Sequence, residues 1–270
     1  MKNLNITNPN KILFPKDNIT KFEIINYYLE ISKHIMPFLK NRLISVIRCH
    51  KDIEHECFFK KHPTTEREYV ESFFVGQEEY FYIKNEVQLV QQVQFGTLEF
   101  HTWAGNVKNM KSPDMMIFDL DPDEKLPLKN LREAVMKIKT ILDELDLESF
   151  LKTSGGKGYH IMVPFSAKKS WEEFYDFSKN VAMLAEQKWP KIFTTNIRKE
   201  DRKGKIFIDY LRNNKGSTCI APFSTRARSH APISMPISWS CLDKISPNQI
   251  TIKNYNSYLS SMPVKLFDLI

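Results

Sequence analysis

Two carboxylates one residue apart close an apolar run in Met115-Met116-Ile117-Phe118-Asp119-Leu120-Asp121-Pro122. Side chains alternate faces along a strand, so Asp119 and Asp121 point the same way and can share one ligand. Hard cations such as Mg²⁺ and Mn²⁺ take oxygen ligands, and paired carboxylates hold them well when a polyphosphate accepts the remaining charge. The spacing points to metal-assisted phosphoryl or nucleotidyl transfer. Two readings compete with it. Carboxylates at a strand end also cap turns, and in some phosphatases the first Asp of such a pair attacks phosphate. Asp123, two residues further on, does not suit the phosphatase pattern.

Other stretches carry matching chemistry. Ile206-Phe207-Ile208-Asp209-Tyr210-Leu211-Arg212 repeats the theme of an apolar strand delivering a carboxylate, with an arginine close behind. Thr153-Ser154-Gly155-Gly156-Lys157-Gly158-Tyr159-His160 permits close backbone approach to a ligand and supplies Ser154, Lys157 and His160 as phosphate donors. It is not a Walker A loop, which needs G-x-x-x-x-G-K-[ST]. The stretch Cys219 to Arg228 reads as a strand with Arg226 and Arg228 on one face, a suitable clamp for a triphosphate. Three strand-borne carboxylates, a glycine-rich donor loop and paired arginines are the parts of a metal-dependent nucleotidyl transferase.

The elements that must position these groups follow from periodicity. Thr20 with Glu23 forms a capping box, and Ile24, Tyr27, Tyr28, Ile31 and Ile35 predict a long helix from Thr20. Strands are expected at Leu43 to Arg48, Tyr69 to Phe74, Tyr80 to Ile83, Leu98 to Trp103, Ser149 to Lys152 and Ile161 to Pro164. Helices are expected at Asn85 to Val93, over the Leu131 to Leu145 apolar repeat, and from Ser170 to Lys188. Between them, Arg48 to His62 collects two Cys and three His. The spacing fits no zinc pattern, so an aromatic, basic hairpin is the better reading. Phe58 and Phe59 alternate faces there, leaving one free to stack on a base.

The 270 residues suffice for one large domain or two packed lobes, and nothing divides the chain by composition. Its charge of +7 arises from 39 basic and 32 acidic residues, which favours an anionic partner without demanding one. Neither a leader-like apolar segment nor an apolar run long enough to span a bilayer occurs, so a cytoplasmic protein is expected. Cys49, Cys57, Cys219 and Cys241 are too few and too scattered for a disulfide framework, consistent with a reducing compartment.

Taken in order, Asn8-Pro9-Asn10-Lys11 with Thr20-Lys21, Phe58-Phe59 with Lys61-His62, His101-Thr102-Trp103, Phe118 to Pro122, Thr153 to His160, Asp209 to Asn213 and Ala221 to Arg228 resemble the polymerase domain of bacterial ligase D. That is the archaeo-eukaryotic primase-like family of non-homologous end-joining. The resemblance implies an α/β (α+β) primase-polymerase fold, with a mixed, largely antiparallel sheet flanked by helices. It implies one catalytic domain over 1–270, with a DNA-end-binding part at about 1–100 and a core at about 101–240. Asp119, Asp121 and Asp209 would hold two Mn²⁺ or Mg²⁺ ions. Ser154, Lys157, His160, Arg226 and Arg228 would contact an NTP, helped by His101, Arg202 and Arg212. Lys11 and Lys21 would bind a downstream 5′-phosphate, with Arg48 and with Phe58 or Phe59 at the template. The implied activity is template-dependent addition of nucleotides, preferentially ribonucleotides, at gaps or broken ends. A separate ligase and a Ku-type protein are the implied partners. A primase starting chains de novo and a non-catalytic DNA-end binding module are the alternatives. Clustered carboxylates argue against the module, because binding a polyanion gains nothing from them.

Overall fold

The computed structural model describes residues 6–64, 67–165 and 168–268. The opening five residues, part of the segment read for a leader, lie outside the described residues. The Met115–Pro122 strand sits inside a mixed sheet, in the order Phe193–Thr194, Ile206–Asp209, Met115–Pro122, Tyr159–Pro164, Phe150–Thr153, Pro236–Ile237. The outer pair, Phe193–Thr194 with Ile206–Asp209, runs parallel, and the other neighbours are antiparallel. Met116, Ile117, Phe118 and Leu120 are all buried. A strand covered on both faces must be apolar at consecutive positions, which is why this one shows no alternation before its carboxylates.

Helices Leu128–Glu144 and Trp171–Lys188 pack on this sheet. The first buries Leu131, Ala134, Val135, Ile138, Ile141 and Leu142 along one stripe and leaves Leu145, its C-cap, exposed. The second starts at a reciprocal cap: Ser170 Oγ accepts from the Glu173 amide, and Glu173 accepts from the Ser170 amide.

Among the described residues a second large sheet, antiparallel throughout, runs Cys219–Ile220, Thr97–Asn106, Arg42–Cys49, Glu78–Tyr82, Glu71–Val75. Cys57–Lys60 pairs with Arg42–Cys49, and Asn109–Pro113 with Thr97–Asn106. Buried apolar residues of both sheets belong to one contiguous core. Tyr27 and Tyr28, from the helix that Thr20 caps, tie the halves together. Their hydroxyls donate to the carbonyls of Phe223 (2.6 Å) and Leu98 (2.8 Å). No helix among the described residues is long and apolar enough to cross a membrane.

Three expectations need correction. The helix from Thr20 is two helices, Lys21–Glu30 and Ser32–Leu39, because Ile31 between them has φ −88° and ψ 0°, away from helical values. The arginine-bearing strand stops at Ile220: Pro222 has no N–H for a ladder and Phe223 adopts φ +66°, so Arg226 and Arg228 sit on a loop. Finally, Cys49 and Cys57 form a disulfide, as ladder partners directly opposite one another. Their sulfurs are thereby unavailable to a metal, while Cys219 and Cys241 remain thiols.

Candidate active site

Strand register builds the carboxylate cluster. Asp119 lies directly opposite Asp209 on one neighbouring strand and directly opposite His160 on the other. Asp121, two residues along the same strand face, completes a set in which one carboxylate oxygen from each residue lies within 4.8 Å of the other two. Asp209 is fixed by a backbone bond, its Oδ1 accepting from Leu211 N at 3.0 Å. His160 Nε2 stands 3.2 Å from Asp119 Oδ1, and Arg212 Nε stands 3.0 Å from Asp209 Oδ2 and 3.8 Å from Asp119 Oδ2.

The three acids are not electrostatically alike. Burial opposes ionisation of Asp119, but His160, Arg212 and Lys152 outweigh it and hold the carboxyl down at about 2. Burial and then the Asp119 charge push Asp121 up to about 6. Asp209 is raised by burial as well, with Arg212 opposing. Three carboxylates thus crowd one point, and all the donors they offer are hard oxygens. That donor set fits Mg²⁺ or Mn²⁺.

The glycine loop forms the floor. Ser154 Oγ accepts from the amides of Gly156 (3.0 Å) and Gly158 (3.2 Å), knotting the turn. A Cβ on Gly158 would lie 2.2 Å from Leu120 O, between the two acidic positions, so only glycine lets the loop lie against the metal-site strand. Gly155 has φ +66°, and a Cβ there would meet Arg226 Cγ at 2.6 Å. Above this floor lies a cavity of about 340 Å³, lined by Asp119, Asp121, Ser154, Lys157, His160, Arg212, Arg226 and Arg228, with His101 and Cys219 from the second sheet. Lys157 stands at the rim, ion-paired with Glu124. Arg202 lies in the adjoining cleft beside Lys199 and Asp123, its guanidinium 3.5 Å above the Phe207 ring.

Sequence reasoning missed the groups that hold these donors in place. Glu99, almost wholly buried, accepts from His101 Nε2 (2.9 Å), pairs with Arg226 Nε (3.1 Å) and accepts from Ala227 N (2.8 Å). Burial opposes its charge, yet His101 and Arg226 hold it down at about 2. Burial in turn lowers His101. Lys152 is fully buried and donates to His160 Nδ1 (2.8 Å), Ser234 Oγ (2.8 Å) and Ile220 O (3.0 Å). An ammonium can only donate, so neutral His160 carries its proton on Nε2, toward Asp119. Burial pulls Lys152 down to about 8. Burial also opposes charge on His160, but Asp119 more than offsets it and raises the imidazole. The available signal was one charged residue inside each apolar strand, Glu99 in Leu98-Glu99-Phe100 and Lys152 in Phe150-Leu151-Lys152.

A second cluster lies outside the cavity. Lys11 and Lys21 are joined by the Lys21 N–Lys11 O bond at 2.8 Å, and burial followed by the Lys11 charge depresses Lys21. Lys21 Nζ donates to Thr7 O at 2.8 Å, and Lys11 Nζ to His50 O in the disulfide-closed hairpin. On that hairpin Phe58 packs on His50 while Phe59 is 54% exposed, its ring 6.1 Å from that of His101. Phe59 thus stands beside His101, a residue of the cavity wall. Arg48 does not join this surface: it is buried, bonded to Gln92 Oε1 at 2.9 Å and stacked near Phe95.

The family model described as the LigD primase-polymerase domain matches residues 20–264. The multifunctional non-homologous end joining protein LigD of Pseudomonas aeruginosa is 34% identical over 98% of this chain, which corresponds to 31% of that protein. The bifunctional non-homologous end joining protein LigD of Bacillus subtilis is 30% identical over 98% of this chain and 44% of its own length. The chain thus spans less than half the length of either relative. Among solved structures, the polymerase domain of Mycobacterium tuberculosis ligase D in complex with DNA superposes with a TM-score of 0.90, covering 99% of both chains at 24% identity.

Proposed function

The chain belongs to the LigD primase-polymerase family, and on that footing we propose that it is a template-directed nucleotidyltransferase that extends primer 3′ ends at gaps and double-strand breaks in non-homologous end-joining. The observation that carries the reading is the trio Asp119, Asp121 and Asp209, with one oxygen of each within 4.8 Å of the others, of which Asp119 and Asp121 line a cavity with Ser154, Lys157, His160, Arg226 and Arg228. Negative charge gathered opposite positive donors suits a reaction between a triphosphate and a hydroxyl.

Asp119, Asp121 and Asp209 would hold two Mn²⁺ or Mg²⁺ ions. When bound there, the ions would supply positive charge to the attacking and leaving oxygens. Arg226, Arg228 and Lys157 bind the triphosphate and orient its α-phosphate toward the acids, with Ser154 fixing the loop beneath. Glu99 keeps Arg226 and His101 aimed into the cavity. Lys152 keeps the His160 proton on Nε2, where it steadies Asp119 or a phosphate oxygen. Lys11 and Lys21 take the 5′-phosphate across the gap, and Phe59 stacks on the template base between that phosphate and the cavity. Ribonucleotides are the preferred substrates, and a Ku-type protein and, distinct from it, a ligase activity complete the repair.

The test is extension of a labelled primer across a short gap with Mn²⁺. It compares a 5′-phosphate with a 5′-hydroxyl downstream, and ribonucleotides with deoxyribonucleotides. Phosphate-stimulated addition of ribonucleotides is expected. Extension indifferent to the phosphate would favour a general primase-polymerase, and no extension under any condition would overturn the enzymatic reading.

A further inference from the structure

Arg212 occupies an unusual place among the cavity's cations. Arg226 is paired with Glu99 and Lys157 with Glu124, but Arg212 sits on the acid cluster itself. Both oxygens of Asp209 are engaged, Oδ1 by Leu211 N and Oδ2 by Arg212 Nε. Asp119 has Oδ1 against His160 and Oδ2 toward Arg212. The Asp121 carboxylate has no hydrogen-bond or ion-pair partner among the described residues. A divalent cation held by Asp119 and Asp209 would compete with the guanidinium for these carboxylates.

The surrounding structure lets the side chain leave without moving the backbone. Arg212 lies in a single 3₁₀ turn, Leu211–Asn213, and its side chain is 43% exposed. The next residue is the anchor: buried Asn213 exchanges two hydrogen bonds with the Ile117 backbone, Nδ2 to O and N to Oδ1, both 2.8 Å. Arg212 also lines the triphosphate-sized cavity, so another set of anionic oxygens would lie within its reach.

We propose that Arg212 is an exchangeable counter-ion that competes with divalent cations for Asp119 and Asp209 and is handed to the triphosphate when both bind. The inference rests on the polymerase reading above and deepens it: Arg212 makes metal and nucleotide binding mutually dependent. Linkage requires the dependence to be reciprocal, so the nucleotide tightens the cation as much as the cation tightens the nucleotide.

Mn²⁺ binding followed by electron paramagnetic resonance tests this, with and without a nucleoside triphosphate whose α,β-bridge is methylene. Arg212→Met keeps the apolar stem and removes the charge. It should bind Mn²⁺ alone about tenfold tighter than the wild type and lose most of the additional tightening by the nucleotide. Arg212→Lys keeps the charge and should retain weak binding of Mn²⁺ alone. Arg212→Met binding Mn²⁺ no tighter than the wild type, with coupling unchanged, would overturn the counter-ion role and leave the polymerase reading intact. Absence of Mn²⁺ binding by the wild type in both conditions would overturn both.

Discussion

His160 lies directly opposite Asp119 in the central ladder, with Nε2 3.2 Å from Oδ1. An antiparallel register thus delivers a base and an acid to one point without any loop flexibility, and Asp209 reaches the same residue from the other side. Three strands fix the chemistry, and the loops around them supply the donors.

Replacing the central acid separates chemistry from binding. Asp119→Ala should lower primer extension by at least about a thousandfold. DNA affinity should stay level or rise slightly, since a negative charge facing a polyanion has been removed. Parallel extension and fluorescence-anisotropy measurements check this, and unchanged extension would dismiss the acid cluster as the reaction centre.

The two lysines make a claim about one end of the gap only. Lys11→Ala with Lys21→Ala should weaken binding to a 5′-phosphorylated gap by about 10- to 100-fold, the loss of charge-assisted bonds. A 5′-hydroxyl gap should be bound nearly as before. Equal loss on both substrates would count against a phosphate pocket.

Glu99 ties acid stability to donor placement. Its carboxyl is held at about 2 in the fold against an ordinary 4.5. Its contribution is therefore fully present above pH 4.5 and is lost as pH falls through about 2. A buried group shifted this far contributes on the order of 3 kcal/mol by linkage. Glu99→Gln should lower stability at neutral pH and flatten the decline between pH 4.5 and 2 in urea unfolding series. A slope equal to the wild type's would refute the ion-pair account.

The Cys49–Cys57 bond closes a short hairpin, and removing it frees that segment in the unfolded chain. Reduction, or Cys57→Ser, should cost about 2–3 kcal/mol in urea unfolding. The wild type under reductant should match the substituted protein. A stability indifferent to reductant would show that the bond contributes nothing.

Much of this was legible in the chain. The Asp119–Asp121 pair, the Asp209 strand and the glycine loop each carry a local pattern of period two or a run of small residues, and local patterns survive in a sequence. Both capping boxes were readable for the same reason. What escaped depended on partners distant along the chain. Glu99 and Lys152 look like strand faults until His101, Arg226 and His160 are brought against them. Cys49 and Cys57 became a pair only once the hairpin set its register. Alternation places Arg226 and Arg228 on a strand, and what ends that strand is Pro222 with the positive φ of Phe223, a glycine-like conformation that the residue name does not suggest.

The order in which strands enter the two sheets has a consequence for synthesis on the ribosome. Asp119 emerges before the midpoint, but Asp209 follows much later, Cys219–Ile220 then returns to the second sheet, and Pro236–Ile237 closes the edge of the first. Long-range pairings of this kind form slowly and only after the distant strand exists. The acid cluster is thus among the last features a nascent chain completes, and a product of interrupted translation ending before Ile206 would have most of the second sheet but no third acid.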